Sequence, residues 1–263
     1  MNPRRHILPW LAGFVLLASA PARADLVAII ERIKPSIVMV GVYRKLGSPQ
    51  FTLRGTGFAV GDGRVVATNA HVVADMNLAQ DAVLAVRAST PIDRARPASI
   101  LALDKEHDLA LLRIEGAALP PLALGNSDAV RDGLSVAFTG FPIGGILGFS
   151  PVTHRGIVSA VTPVALPAAN AQQLKESVIR RMKQGSFDVF QLDATAYPGN
   201  SGGPLFDPDT GEVLGVINMV FVKGTREAAL SHPSGISYAI PANFLRDLTG
   251  SAIIDRPSGM SAR

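Results

Sequence analysis

The 263-residue chain contains no cysteine. That removes disulfide frameworks, thiol nucleophiles and zinc–thiolate centres, and it excludes acylation as a lipoprotein. Stability has to come from packing. Tryptophan is nearly absent as well: Trp10 is the single one, and it lies in an N-terminal segment that reads as removable. Charged residues are sparse, at 17% against 48% hydrophobic, a balance that fits a globular chain and not a disordered one. Long hydrophobic runs are missing, with one exception. Arg4 and Arg5 precede an apolar stretch from Ile7 to Ala20, and Ala22-Arg23-Ala24 then places small residues where a signal peptidase cuts. The stretch is too short to span a bilayer and no stop-transfer pattern follows, so residues 1–24 read as a secretory signal peptide.

Removing those residues changes the charge argument. The formal net charge of +4 comes from 25 basic and 21 acidic residues. Arg4, Arg5 and Arg23 leave with the signal and no acid does, so 22 basic residues face 21 acidic ones, a net +1. With no aromatic–basic motif, this balance argues against nucleic acid as a partner. After signal cleavage nothing is left that would insert stably into a membrane.

From Ser36 onward short runs of Val, Ile, Leu and Phe alternate with Gly, Pro, Asp and Asn. Strands are expected at 36–44, 56–60, 64–68, 82–88, 98–104 and 109–115, and again at 135–141, 155–165, 188–194, 212–222 and 235–241. Many short strands joined by turn signals predict an all-β protein with few helices. The segment 118–128 reads as the connection between two sets of strands, and 45–55 as a short loop between the first two. Helices are expected over Leu26 to Ile33 and Pro241 to Leu248. A third is expected over 169–185, where Leu174, Val178, Ile179 and Met182 form an apolar stripe and Lys175, Arg180, Arg181 and Lys183 a basic surface. It reads as a helix packed on the sheet, with a regulatory or substrate-contacting role as the alternative. No internal repeat is visible.

Three places combine polar side chains with strand ends: His71 in ATNAHVVAD, Asp108 in KEHDLALLRI, and Ser201 in YPGNSGGPLF. A serine hydroxyl needs an adjacent base to take its proton, and histidine has the suitable pKa. A carboxylate then orients the imidazole and stabilises its protonated form. Each residue alone has an ordinary explanation: a structural histidine, a strand-capping aspartate, a glycine-rich turn. Together, in the chain order His, Asp, Ser, they match the chymotrypsin-like arrangement and not the subtilisin or α/β-hydrolase orders.

The segments TGF (56–58), TNAHVV (68–73), DLALL (108–112), LGNSD (124–128), GIVSA (156–160), PGNSGGPL (198–205) and GISYAIP (235–241) resemble the trypsin-like serine protease domain of the HtrA/Deg family. The resemblance runs from about Leu26 to Leu248. It implies two antiparallel β-barrels of the chymotrypsin type, spanning about 26–118 and 119–250 of a single protease domain over 25–263, with the active site between them. It makes His71 the general base, Asp108 its orienting acid, Ser201 the nucleophile, and the amides of Gly199 and Ser201 the oxyanion hole. The substrate pocket it implies is walled by Thr195, Ala196, Ile217, Asn218, Met219, Val220 and Gly235, none of them charged. A charged side chain entering would lose water without gaining a partner, so cleavage is expected after small or medium aliphatic residues. Asn200 stands where digestive relatives carry an aspartate that pairs with a new N-terminus, and an amide has no charge for that ion pair, which argues against that route of maturation.

The expected protein is thus an exported endopeptidase acting on unfolded or misfolded polypeptides, placed in the bacterial periplasm or else secreted. The chemistry calls for neither metal nor cofactor. No PDZ domain is expected after the protease-like region, and a homotrimer follows only by analogy. The competing reading is a chaperone or protein-binding module on the same fold, with little turnover.

Overall fold

The computed structural model describes residues 25–74, 81–88, 94–142, 150–163, 187–218 and 236–254. Six strands form a first closed barrel: β1 (Ile37–Arg44), β2 (Phe51–Val60), β3 (Val65–Asn69), β4 (Ala82–Ala88), β5 (Arg96–Asp104) and β6 (Leu109–Ile114). A second contains β7 (Ser135–Gly140), β8 (Val152–Pro163), β9 (Asp188–Asp193), β10 (Pro204–Phe206), β11 (Val213–Asn218) and β12 (Ile236–Pro241). Neighbouring strands are antiparallel, in the order β1-β2-β3-β6-β5-β4 and, six strands later, β7-β8-β9-β12-β11-β10. The topology therefore repeats although the sequence shows no repeat. The described helices are α1 (Leu26–Ile33), α2 (Ala70–Val73) and α3 (Ala242–Ile254), so the all-β expectation holds.

Some boundaries move. β2 begins at Phe51, which shortens the expected 45–55 loop to residues 45–50. Arg44 N donates to Gln50 O at 2.8 Å and Gln50 Nε2 to Lys45 O at 2.8 Å, closing the hairpin early. The register of β1 on β2 shifts by one residue between Val40 and Gly41, which pair with Gly55 and Leu53, and beyond the shift Met39 and Val38 face Thr56 and Gly57. α3 runs past Leu248 to Ile254. The expected helix at 169–185 lies outside the described residues, as does the N-terminal segment 1–24.

Burial explains the apolar run SIVMVG. Val38 and Val40 point into the first barrel with Val66, Val86 and Leu112. Ile37 and Met39 point the other way, into a cluster that also holds Phe141, Phe206, Val213 and Val216 of the second barrel. With both faces buried, β1 has no polar alternation to show. The second barrel keeps its own core, built around Phe138, Val158, Phe190 and Leu192. The two barrels therefore share a seam. His71 follows β3, Asp108 precedes β6, and Ser201 lies between β9 and β10. Among the described residues no helix is long and apolar enough to cross a membrane.

Candidate active site

Asp108 is the only non-glycine residue with positive φ among those described, at +53°. Aspartate tolerates the left-handed region better than most side chains, but a residue held there is strained and points to a local purpose. Its hydrogen bonds supply one. Oδ1 accepts His71 N at 2.8 Å, and Oδ2 lies 2.6 Å from His71 Nδ1. Oδ2 also accepts Asn218 Nδ2 at 2.7 Å. The main-chain oxygen accepts Ala70 N at 3.0 Å and Asn69 Nδ2 at 3.1 Å. A carboxylate only accepts, so the hydrogen of the imidazole sits on Nδ1 and Nε2 presents a lone pair.

The turn that carries Asp108 is itself braced. Asp104 Oδ1 accepts the amides of Glu106 and His107, each at 3.0 Å, an Asx-type turn. Asp104 Oδ2 meets His107 Nδ1 at 2.6 Å. The His107 ring stacks on Phe244 of α3 at 3.9 Å and meets Phe187 edge-on at 4.7 Å. A helix near the chain's end thus supports the loop that aims the carboxylate.

The Ser201 loop reaches the same place from the second barrel. Ser201 is 5% exposed, and its carbonyl accepts Thr56 N at 2.8 Å. Gly199 and Gly202 have φ of +106° and +85°, values an L side chain avoids. A Cβ on Gly202 would collide with Thr56 O and with Thr68 Oγ1, on the strand that leads into His71. A Cβ on Gly55 would lie 2.7 Å from the Val72 side chain and 2.9 Å from Ser201 O. The glycines therefore let the loop press against the segment carrying the imidazole. Asn200 is fully buried and neither of its side-chain polar atoms has a hydrogen-bond partner among the described residues. It forms no ion pair.

The expected pocket residues divide. Thr195 is half-buried, and Ala196 is buried with its N–H donated to Ser237 Oγ at 2.8 Å. Ile217 belongs to the core of the second barrel and meets the loop through its main chain, accepting Gly202 N and donating to Gly203 O at 2.9 Å each. Asn218 is buried with its amide on Asp108. Met219, Val220 and Gly235 lie outside the described residues. Beside His71 a largely apolar hollow of about 410 Å3 is lined by Ala70, Val73, Ala74, Leu103 and Lys105. The bond from Asn218 to Asp108 had one signal in the sequence, an asparagine inside the apolar run EVLGVINMV, and Thr56 had none beyond its place in the TGF motif.

A family model described as a trypsin-like peptidase domain matches residues 55–216. The chain belongs to the trypsin-like peptidase family. Among the curated relatives of this chain, a probable periplasmic serine endoprotease DegP-like from Pseudomonas fulva is 35% identical over 74% of the chain and 33% of its own length. Serine protease HTRA2, mitochondrial, from Bos taurus is 33% identical over 83% of the chain and 41% of its own length. The solved HtrA-type protease AlgW with tripeptide superposes with a TM-score of 0.62 at 26% identity, over 87% of this chain and 64% of its own. The chain thus spans less than half the length of those two curated relatives. The HtrA/Deg resemblance read from the motifs and the two-barrel fold are both as expected.

Proposed function

We propose that the chain is an exported serine endopeptidase that cleaves unfolded or misfolded polypeptides. The observation that carries this reading is the pair of hydrogen bonds that His71 donates to the Asp108 carboxylate, 2.8 Å from the main-chain N and 2.6 Å from Nδ1, beside the glycine-framed Ser201 loop. In the reaction, His71 Nε2 takes the Ser201 hydroxyl proton as Oγ bonds to the substrate carbonyl carbon. The carbonyl electrons move to oxygen, where the amides of Gly199 and Ser201 donate to the resulting anion. Collapse expels the amine, which takes the proton from His71, and leaves an acyl-enzyme that water hydrolyses by the same steps. Export is supported by the charged, apolar and small-residue order of residues 1–24 and by relatives named as periplasmic. A serine-directed phosphonate should label the chain, with labelling and casein turnover both lost in Ser201→Ala. Absence of labelling in the unaltered chain would favour the chaperone reading.

Specificity for aliphatic residues before the scissile bond rests on the uncharged residues assigned to the pocket. The apolar hollow beside His71 offers a second place for an aliphatic side chain of the substrate. A peptide-library digest should yield cuts after Val, Ala, Ile or Leu. Cuts dominated by Lys and Arg would contradict the assignment.

A further inference from the structure

Thr56 is fully buried in β2 of the first barrel, yet its hydrogen bonds run mostly to the second. Its hydroxyl donates to Gly199 O at 2.7 Å and accepts Phe141 N at 3.0 Å. Its main-chain N–H donates to Ser201 O at 2.8 Å, and its carbonyl accepts Thr68 Oγ1 at 2.7 Å. A hydroxyl carries one hydrogen. Because the Phe141 N–H arrives as a donor, that hydrogen has to point at Gly199 O. We propose that Thr56 is a positioning residue for the nucleophile loop, holding the Gly199–Ser201 turn in register with the His71 strand.

The two peptide groups that bracket the turn are each held at both ends. In Gly199–Asn200, the carbonyl is on Thr56 Oγ1 and the N–H is on Tyr197 O at 2.9 Å. In Ser201–Gly202, the carbonyl is on Thr56 N and the N–H is on Ile217 O at 2.9 Å. Thr56 supplies one end of both. With those two planes set, the intervening Ser201 amide and Cα–Cβ bond have little rotational freedom, since only two soft dihedrals exist per residue. Room for the clamp comes from Gly140, where a Cβ would lie 3.0 Å from Thr56 Oγ1 and 2.7 Å from Asn200 Oδ1. Thr68, bonded to Thr56 O, stands three residues before His71, so base and nucleophile are referenced to one buried residue.

The proposal rests on reading Ser201 as the nucleophile, and its test uses the purified full chain with three substitutions. Thr56→Val keeps the shape and removes the hydroxyl, leaving Gly199 O and Phe141 N–H without that partner. Thr56→Ser keeps the hydroxyl, and Thr56→Ala serves if the valine variant does not fold. The valine or alanine variant should lose about 10- to 100-fold in kcat, the scale of an ångström's misplacement, with KM within about threefold. Affinity for a peptidyl boronate, which mimics the tetrahedral adduct, should fall in parallel, and Thr56→Ser should restore both. Rates are referred to sites counted by phosphonate titration, so a merely structural role would lower the titre and leave per-site kcat unchanged. That result would overturn the proposal. Hydrogen exchange of the 197–203 segment gives a readout independent of turnover. Faster exchange in Thr56→Val but not in Thr56→Ser supports the clamp, and equal exchange in all forms refutes it. If the unaltered chain neither labels nor cleaves, the protease reading fails, while the exchange result still decides whether Thr56 holds the loop.

Discussion

His154 shows how much one half-buried ring can matter in a protein with little charge. It lies on β8, stacked on Phe138 at 4.7 Å, with Tyr197 of the Ser201 loop at 6.4 Å and its Nε2 without a partner among the described residues. Burial pushes its pKa below the ordinary 6.5. In the unfolded chain the imidazole therefore takes up a proton at a higher pH than in the native one. Where the unfolded state binds more protons, stability falls as pH falls. Stability should decline as pH drops through about 6.5 towards the lower native value, and His154→Phe should flatten that part of the curve in urea titrations across the range. An unchanged slope would show that the ring is solvated. At this scale the sequence was legible where chemistry and motif coincide: His71, Asp108 and Ser201 stand in strand-end contexts that can be read directly. Asn218 and Thr56 were harder because an asparagine or threonine inside a strand has several ordinary roles. Only their partners across the seam distinguish them.

Among the elements, α1 does more than its position suggests. Asp25 caps it through Val27 N at 3.1 Å, and the periodic pattern buries Ile29 and Ile33 while leaving Val27 60% exposed. The buried face joins the seam cluster, and the Arg32 guanidinium donates to Thr210 O in the β10–β11 turn of the second barrel. A helix that opens the first barrel in sequence thus docks on the second. Ile33→Ala should cost about 2–5 kcal/mol in denaturant unfolding, from lost burial plus the cavity left behind. Val27→Ala should stay within about 0.5 kcal/mol, because its side chain faces water. The bounds of α1, Leu26 to Ile33, are those expected from the sequence. The start of β2 was not, because Phe51 joins the strand only through pairing with Tyr43.

For the whole molecule, the seam decides how the barrels behave. Domains joined by a small polar interface move and unfold separately. Here Ile37, Met39 and Phe58 of the first barrel share one buried cluster with Phe141, Phe206 and Val216 of the second. Thermal unfolding followed by near-ultraviolet circular dichroism and by calorimetry should show one transition. Phe206→Ala, costing about 3–5 kcal/mol, should move that transition as a unit. Two resolved transitions would mean that the seam does not couple the halves. This shared core also keeps the candidate site together, since His71 and Asp108 come from one barrel and Ser201 from the other.

The amino-acid order by itself determined the strand-rich class, the three strand-end residues with chemical potential and the glycine-framed serine, because these depend on local patterns of apolar, turn and polar residues. The tertiary structure decided what meets what: that β1 is buried on both faces, that the Asn218 amide reaches Asp108, and that Thr56 clamps a loop more than a hundred residues away. Those contacts arise from barrel closure, which brings distant strands edge to edge, and no local pattern encodes the partner across the seam.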